Sequence, residues 1–435
     1  MSTVTHEPEP THHRPRREHH RVPDPHPAPD RGTVSDGGPT WELTRREFAT
    51  GIAKATLIGA IAPFSFVKAA AAPARTDELE RYLRRKLVEA NTPGIAVAVV
   101  REGAVVWSSG VGWADRERRI RATSDTVFQL ASVSKTLTCA GIMALVEDGL
   151  IDLDADINTY LPFEVHIPHA PDVPITMRNL LTHTSAIRDR WQVWGTPWSE
   201  PTLYFSGDSP ISLGDFCRSY FVHGGTRYRR RKNFYERAPG IGYAYSNLAV
   251  ALAGFVAEAA SGVDFDELCK QRICEPLGMT NSGFRLADIG TTNLAMPHAT
   301  VSNGELEPIF HYGYPDYPDG ALRTSAMHLA RWLGAFMNLG AFESARVLDE
   351  STVQEIRRNQ IPDLVGWHQG LIWYGQRRWG FFTLGHTGGD YGESTRMFFR
   401  PDRRVGVVSL TNAYLGGPRW AAFRDIERRL FQEFS

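Results

Sequence analysis

Only four cysteines occur in 435 residues, at Cys139, Cys217, Cys269 and Cys274, and none belongs to a Cys-x-x-Cys pair. A disulfide framework and a zinc ribbon are therefore not expected. Cys139 sits in an apolar helical run as a small hydrophobe, and Cys269 and Cys274, five apart in an apparent helix, point to different faces. Charge of one sign is missing too. With Lys+Arg 48 against Asp+Glu 49, nothing attracts a polyanion, and nucleic acid is not an expected partner. There is no His-Glu-x-x-His, no Gly-x-Ser-x-Gly and no phosphate-binding loop. Asp152-x-Asp154-x-Asp156 imitates the start of a calcium loop, but Ile157 replaces the glycine at its sixth position and Phe163 the glutamate at its twelfth. No metal and no organic cofactor is expected. Beyond residue 75 no apolar run is long enough to span a bilayer.

With 42% hydrophobic and 11% aromatic residues, the chain can bury a full core. The first 40 residues, rich in Pro, His and Arg, cannot, and they read as disordered. Thr44-Arg-Arg-Glu-Phe-Ala49, an apolar stretch to Val67 and Lys68-Ala-Ala-Ala-Ala-Pro-Ala74 follow. This resembles a twin-arginine export signal, with cleavage expected between Ala72 and Arg75. Residues 1–74 are thus tail and signal, and 75–435 the working domain. A membrane is involved only if the signal stays uncleaved.

In the mature part, Leu79, Leu83 and Leu87 mark a helix that ends at Pro93-Gly94. Ile95 to Ser108 reads as two strands joined at Arg101-Glu-Gly103. Helices are expected at Val127–Glu147, Asn247–Ala260 and Phe265–Leu277. Strands return at Gly370–Tyr374, Trp379–Thr383, Ser394–Phe399 and Val405–Leu410, before a last helix over Trp420–Phe434. The order predicts an α+β fold: one antiparallel sheet flanked by helices, built from both strand sets, with a helical subdomain at about 126–290 inserted between them.

In Gln129-Leu-Ala-Ser132-Val-Ser-Lys135-Thr, a serine and a lysine stand three apart on one helix face. The helix that follows is apolar nearly all round, so Lys135 is carried into a poorly solvated place where its pKa falls. Free N–H groups at the helix start favour charge on the serine oxygen. The competing reading is a serine cap and a snorkelling lysine. Ser65-Phe-Val-Lys68 repeats the spacing inside the signal, so the pair alone does not decide.

Two further elements do. Tyr245-Ser-Asn247 stands at a loop-to-helix boundary, and Leu384-Gly-His386-Thr387-Gly388-Gly389 follows a strand. In this order the three are similar to the Ser-x-x-Lys, Tyr-x-Asn and Lys/His-Thr-Gly motifs of the superfamily of class C β-lactamases, D-alanyl-D-alanine carboxypeptidases and esterases. Leu180-Leu-Thr-His183-Thr-Ser, Glu275-Pro-Leu-Gly-Met and Asp319-Gly-Ala-Leu-Arg-Thr-Ser extend the likeness, which runs from about Glu78 to Phe434. The resemblance implies a β-lactamase/transpeptidase-like fold and a serine hydrolase. It makes Ser132 the acylated nucleophile, Lys135 its proton acceptor or electrostatic activator, and Tyr245 the proton shuttle to the leaving group. Asn247 would orient the substrate and Lys135. His386, with Thr387, Gly388 and Gly389, would line the substrate strand, and the N–H groups of Ser132 and Gly389 would form an oxyanion hole. Opposite charge at short range would make Tyr245 more acidic beside Lys135.

The implied substrate is a small amide or ester, with a peptidoglycan peptide among the candidates. His386 in place of lysine favours a D-amino-acid peptidase, carboxypeptidase or esterase over a β-lactamase. A penicillin-binding sensor without turnover is the rival from another class. His183 is read as a packing and hydrogen-bonding residue. Arg227-Tyr-Arg-Arg-Arg-Lys232 is a solvated run, or else its arginines Arg229, Arg230 and Arg231 reach an anionic substrate group. Trp191, Trp194, Trp198, Tyr204 and Phe205 line the cleft or pack a loop.

Overall fold

Strand β1 (Gly94–Arg101) is buried along seven of its eight residues, and its alternating side chains feed two cores. Ile95, Val97 and Val99 pack with Leu79 and Leu83 of helix α1 (Pro73–Glu89). Ala96, Ala98 and Val100 belong to the larger core on the opposite face. The period of two in Ile-Ala-Val-Ala-Val-Val thus places one residue set against each helical layer. The computed structural model describes residues 73–435 apart from positions 194, 198, 200–201 and 301–304. The N-terminal tail and the twin-arginine motif lie outside the described residues, as do Trp194 and Trp198.

β1 turns at Glu102 and Gly103, both with positive φ, into β2 (Ala104–Asp115), which pairs with the short β3 (Ile120–Arg121). The remaining strands come from the far end of the chain: β4 (Tyr374–Arg378), β5 (Phe381–Asp390), β6 (Glu393–Arg400) and β7 (Val405–Thr411). The seven form one antiparallel sheet in the order β4-β5-β6-β7-β1-β2-β3. β7 beside β1 closes the sheet across some 300 residues of chain, with Ile95 opposite Thr411.

The intervening chain carries α2 (Lys135–Glu147), α3 (Asn247–Ser261) and α4 (Ala326–Met337). α4 lays Leu329, Leu333 and Phe336 into the core shared with Ala96 and Ala98. α5 (Gly417–Phe434) covers the other face with Phe423, Ile426 and Leu430. α2 is buried from Lys135 to Leu145, without a solvent face.

Three local expectations are corrected. Val127–Gln129 is a strand paired with Arg323–Ser325 rather than the start of a helix; Val and Phe suit the ladder, and the left-handed Ala131 (φ +47°) breaks the chain before α2. At the far end, Ile372, Trp379 and Gly380 all have positive φ, so Gly370–Trp373 and Trp379–Gly380 are turns around β4. β5 therefore runs on to Asp390, and His386–Gly389 lies within a strand rather than after one, opposite Met397, Arg396, Thr395 and Ser394.

Candidate active site

Ser132 sits in a single 3-10 turn, Ala131–Ser134, between the strand Val127–Gln129 and α2. A left-handed Ala131 costs of order 1 kcal/mol and places the serine at the corner. The turn is clamped to one distant segment. Leu130 N–H donates to the Leu322 carbonyl at 2.8 Å, Leu322 N–H to Ser134 Oγ at 3.1 Å and Thr138 Oγ to the Pro318 carbonyl at 2.6 Å. Behind it, the buried guanidinium of Arg323 donates to Gln129 Oε1 at 2.8 Å and to the Phe284 carbonyl at 3.2 Å.

Lys135 opens α2 one turn later and is fully buried. Its Nζ donates to Ser132 Oγ at 3.0 Å and to the Asp319 carbonyl at 2.6 Å. Burial lowers its pKa, and the carboxylates of Asp319, Asp189, Asp316 and Asp390 partly oppose the fall.

Tyr245 brings its hydroxyl into hydrogen bonding with Ser132, and Lys135 Nζ lies 5.2 Å from its ring centre. The residue is half-buried. Enclosure wins over the neighbouring cation: the phenol's pKa is raised well above 10, chiefly by burial and then by Asp319 and Asp189, against the lowering effect of its bond to Ser132. The expectation of a more acidic Tyr245 is therefore corrected, because desolvation of the phenolate outweighs the attraction of Lys135.

The Tyr245 corner is built by two residues. His183, itself left-handed (φ +58°), accepts the Ser246 N–H on Nδ1 at 3.3 Å and stacks obliquely on Tyr245, ring centres 4.4 Å apart. Burial and the proximity of Lys135 hold its pKa well below 6.5, so it is a neutral acceptor. Asp189 receives the Ser246 hydroxyl at 2.7 Å, the Asn247 N–H at 2.8 Å and the Leu248 N–H at 3.1 Å. Burial raises the pKa of Asp189, and these donors at the start of α3 partly oppose the rise. Ser246 caps the same helix by accepting the Ala249 N–H at 3.0 Å. The Asn247 carboxamide makes no hydrogen bond to Lys135; its Oδ1 is buried with no partner among the described residues.

From the sheet, β5 supplies the opposite wall. His386 Nδ1 is 2.6 Å from the Thr387 carbonyl, so Nδ1 carries the proton and Nε2 is left as an acceptor. Its pKa is lowered to about 3 by burial and by Lys135; it is uncharged at neutral pH. Its ring centre lies 6.3 Å from that of Tyr245. Thr387 Oγ meets the Tyr374 hydroxyl at 3.0 Å. At Gly388 a Cβ would come 2.3 Å from the Leu130 carbonyl and 3.0 Å from the Ser132 amide nitrogen. Glycine at 388 thus lets the strand touch the Ser132 turn. Gly389 follows, opposite Ser394.

Ser132, Lys135, Tyr245, Asn247 and His386–Gly389 converge from three elements far apart in sequence. Sequence reasoning passed over Asp189 as a builder of the corner, the Asp319 carbonyl as a partner of Lys135, and Tyr374. Asp189 left no clear signal, because Arg188 and Arg190 on either side of it make it read as one charge in a solvated turn.

A family model described as Beta-lactamase matches residues 79–426. The chain belongs to the Beta-lactamase family. Relatives include the putative penicillin-binding protein PbpX of Bacillus subtilis (strain 168), 31% identical over 211 residues, 48% of this chain and 45% of that one. Esterase EstB of Burkholderia gladioli is 30% identical over 232 residues, 53% and 56% of the two chains. The chain thus spans about half the length of these relatives. The D-alanyl-D-alanine-carboxypeptidase/endopeptidase AmpH of Escherichia coli (strain K12) is 24% identical over 347 residues, 76% of this chain and 82% of that one. Among solved structures, the octameric penicillin-binding protein homologue from Pyrococcus abyssi superposes with a TM-score of 0.66 at 24% identity, covering 82% of this chain and 77% of that one. The D-amino acid amidase from Ochrobactrum anthropi SV3 gives 0.65 at 18%, covering 82% and 99%. Both establish the β-lactamase/transpeptidase-like architecture for this Beta-lactamase family member.

Proposed function

We propose that this protein is an exported serine hydrolase that forms an acyl-enzyme on Ser132 and cleaves small amides or esters, as a D-amino-acid peptidase, carboxypeptidase or esterase. The observation that carries the reading is Ser132 Oγ held between Lys135 Nζ at 3.0 Å and the Tyr245 hydroxyl. A phenol with a raised pKa keeps its proton at neutral pH, whereas the amine of Lys135, with a lowered one, is the base that loses less by accepting a proton. As a free amine Lys135 still donates to the Asp319 carbonyl and presents its lone pair to Ser132.

In acylation Ser132 Oγ bonds to the substrate carbonyl carbon as its proton passes to Lys135. The Ser132 amide and the N–H of Gly389 take the developing oxyanion. Tyr245 gives its proton to the departing amine or alkoxide and recovers one from Lys135. Deacylation repeats the sequence with water as nucleophile. Asn247 Oδ1, buried and without a partner, accepts an N–H of the bound acyl group. Neutral His386 supplies polarity on the strand side and no charge, which sets this wall apart from one carrying lysine. Export rests on Thr44–Ala74, and the N-terminal segment is removed or remains as a membrane anchor.

The test is turnover of a nitrophenyl ester and of a fluorescent penicillin. Steady product release at a rate that scales with enzyme supports the hydrolase; one stoichiometric burst with a long-lived adduct supports a penicillin-binding sensor instead. Detection of the protein outside the cytoplasm, abolished by Arg45→Lys with Arg46→Lys, tests the export route.

A further inference from the structure

The turn that holds Lys135 carries two acids for which the proposed reaction has no use. Tyr317–Asp319 is a 3-10 turn, entered at Asp316 and closed by the Asp319 N–H donating to the Asp316 carbonyl at 3.1 Å. α2 grips it twice, through Thr138 Oγ on the Pro318 carbonyl and Lys135 Nζ on the Asp319 carbonyl, each at 2.6 Å. Both acids are buried, Asp316 at 1% exposure and Asp319 at 6%, and their side chains hydrogen-bond to each other. An ionised carboxylate only accepts, so a hydrogen bond between two carboxyl groups needs a proton on one of them.

The surroundings decide how many protons the pair holds. Lys135 faces it from α2, Asp189 and Tyr245 from the chain before α3, and Asp390 from the end of β5. Tyr204, Tyr314 and Cys217 complete the enclosure. Burial raises the pKa of the three phenols well above 10 and raises that of the Cys217 thiol too, so none of the four is charged at neutral pH. Asp189 and Asp390 disfavour a second negative charge on the pair. Oδ2 of Asp319 accepts no hydrogen bond among the described residues, so a doubly ionised pair lacks the donors that would hold it. Two protons are disfavoured for the opposite reason. Asp319 heads the charges that act on the Lys135 amine, and a neutral pair would leave the ammonium without its nearest counter-charge.

We infer that Asp316 and Asp319 share one proton and are positioning residues for the base: the pair fixes the turn whose carbonyl receives Lys135, and its one negative charge matches the ammonium formed when the Oγ–H bond of Ser132 breaks and an N–H bond forms on Lys135. This deepens the hydrolase reading and rests on it. The charge is in place before the proton moves, so no reorganisation accompanies the transfer.

The test compares the full chain with Asp316→Asn, Asp319→Asn and the double variant. A carboxamide donates to a carboxylate as a protonated acid does. Each single variant therefore keeps both the bond and the charge, and the double variant loses the charge. In infrared difference spectra at neutral pH, parent minus either single variant should show loss of a carboxylic acid carbonyl band that shifts in D2O, with the carboxylate bands retained. For kcat/KM on a nitrophenyl ester, each single variant should lose at most about threefold, and the double variant about tenfold more than the product of the two. In the double variant alone, the acid limb of the kcat/KM profile should move about one unit to lower pH, because Lys135 then holds a proton less firmly. Loss of a carboxylate band in place of the acid band, or single variants that each move the limb, would overturn the shared proton. A double variant that folds by circular dichroism and keeps the parent's acid limb would overturn the positioning role. Where the double variant fails to fold, the two single variants carry the infrared test on their own. The infrared bands need no turnover: the expected bands in a protein that hydrolyses no ester or amide would keep the shared proton and remove the hydrolase, and with it the role in its chemistry.

Discussion

The reaction centre gathers acids, and the adjoining loops gather arginines. Around Lys135 lie Asp189, Asp316, Asp319 and Asp390, acids that oppose the fall in the pKa of one buried amine and of which burial raises the pKa of Asp189, Asp319 and Asp390. Along the adjoining loops Arg188, Arg190, Arg227 and Arg237 enter no ion pair with a described carboxylate; Arg188 and Arg237 rest over the Tyr235 ring at 5.5 and 4.7 Å. Buried carboxylates next to a buried amine set how readily it takes a proton, so their influence falls on the chemical step. These arginines touch neither Ser132 nor Lys135, so theirs should fall outside the chemical step. The two regions should separate cleanly in kinetics, with losses in kcat from one and in KM from the other.

The largest effect is expected at Tyr245. Tyr245→Phe removes the proton donor to the leaving group while keeping the ring against His183, and should lower kcat by about 10²- to 10⁴-fold on an amide with KM little changed. A comparable rise in KM would move Tyr245 from chemistry to binding and blur the division. Gly388→Ala should come next. The added methyl group meets backbone at Leu130, so β5 or the Ser132 turn must shift; a loss of about 1–3 kcal/mol in chemical denaturation is expected, with kcat falling more than KM. Unchanged stability would show that the strand and the turn are not in the contact described.

A smaller effect is expected at Asp189. Asp189→Asn keeps an acceptor for Ser246 but puts an amide donor against the Asn247 N–H, costing about 1 kcal/mol of stability and lowering kcat about tenfold through a looser Tyr245 corner. Calorimetric melting and steady-state rates on the same preparation measure both, and restoration of kcat by Asp189→Glu would mark a positioning role. A further effect, absent at neutral pH, emerges in acid. His386 has a folded pKa of about 3 against an unfolded value near 6.5, so the unfolded chain binds the extra proton first. Its contribution to stability is complete above pH 6.5 and is lost as pH falls toward 3, at up to about 1.4 kcal/mol per pH unit. The drop in Tm between pH 7 and pH 5 should therefore be smaller in His386→Gln than in the parent protein.

Much of this was legible in the chain, for identifiable reasons. The run Ile95 to Ser108, broken at Arg101-Glu-Gly103, declared two joined strands, and Leu79, Leu83 and Leu87 declared the helix before them. A lysine heading an all-apolar helix marked a buried amine three residues from a serine. What escaped depended on contacts remote in sequence. Val127–Gln129 became a strand because Arg323–Ser325 was there to pair with it. The acidity of Tyr245 went the other way because desolvation depends on the whole enclosure, and a sequence neighbourhood shows only the attracting charge. Asp189 and the Asp319 carbonyl hold the site through backbone atoms, and hydrogen bonds to backbone leave little trace in residue identity.

The central claim is that Ser132 is the residue acylated. The most direct measurement is reaction of the protein with a fluorophosphonate probe followed by peptide mass spectrometry, with Ser132→Ala as control. The account predicts a single adduct on Ser132 and no labelling of the variant. Labelling that persists in Ser132→Ala, or an adduct on another residue, would contradict it.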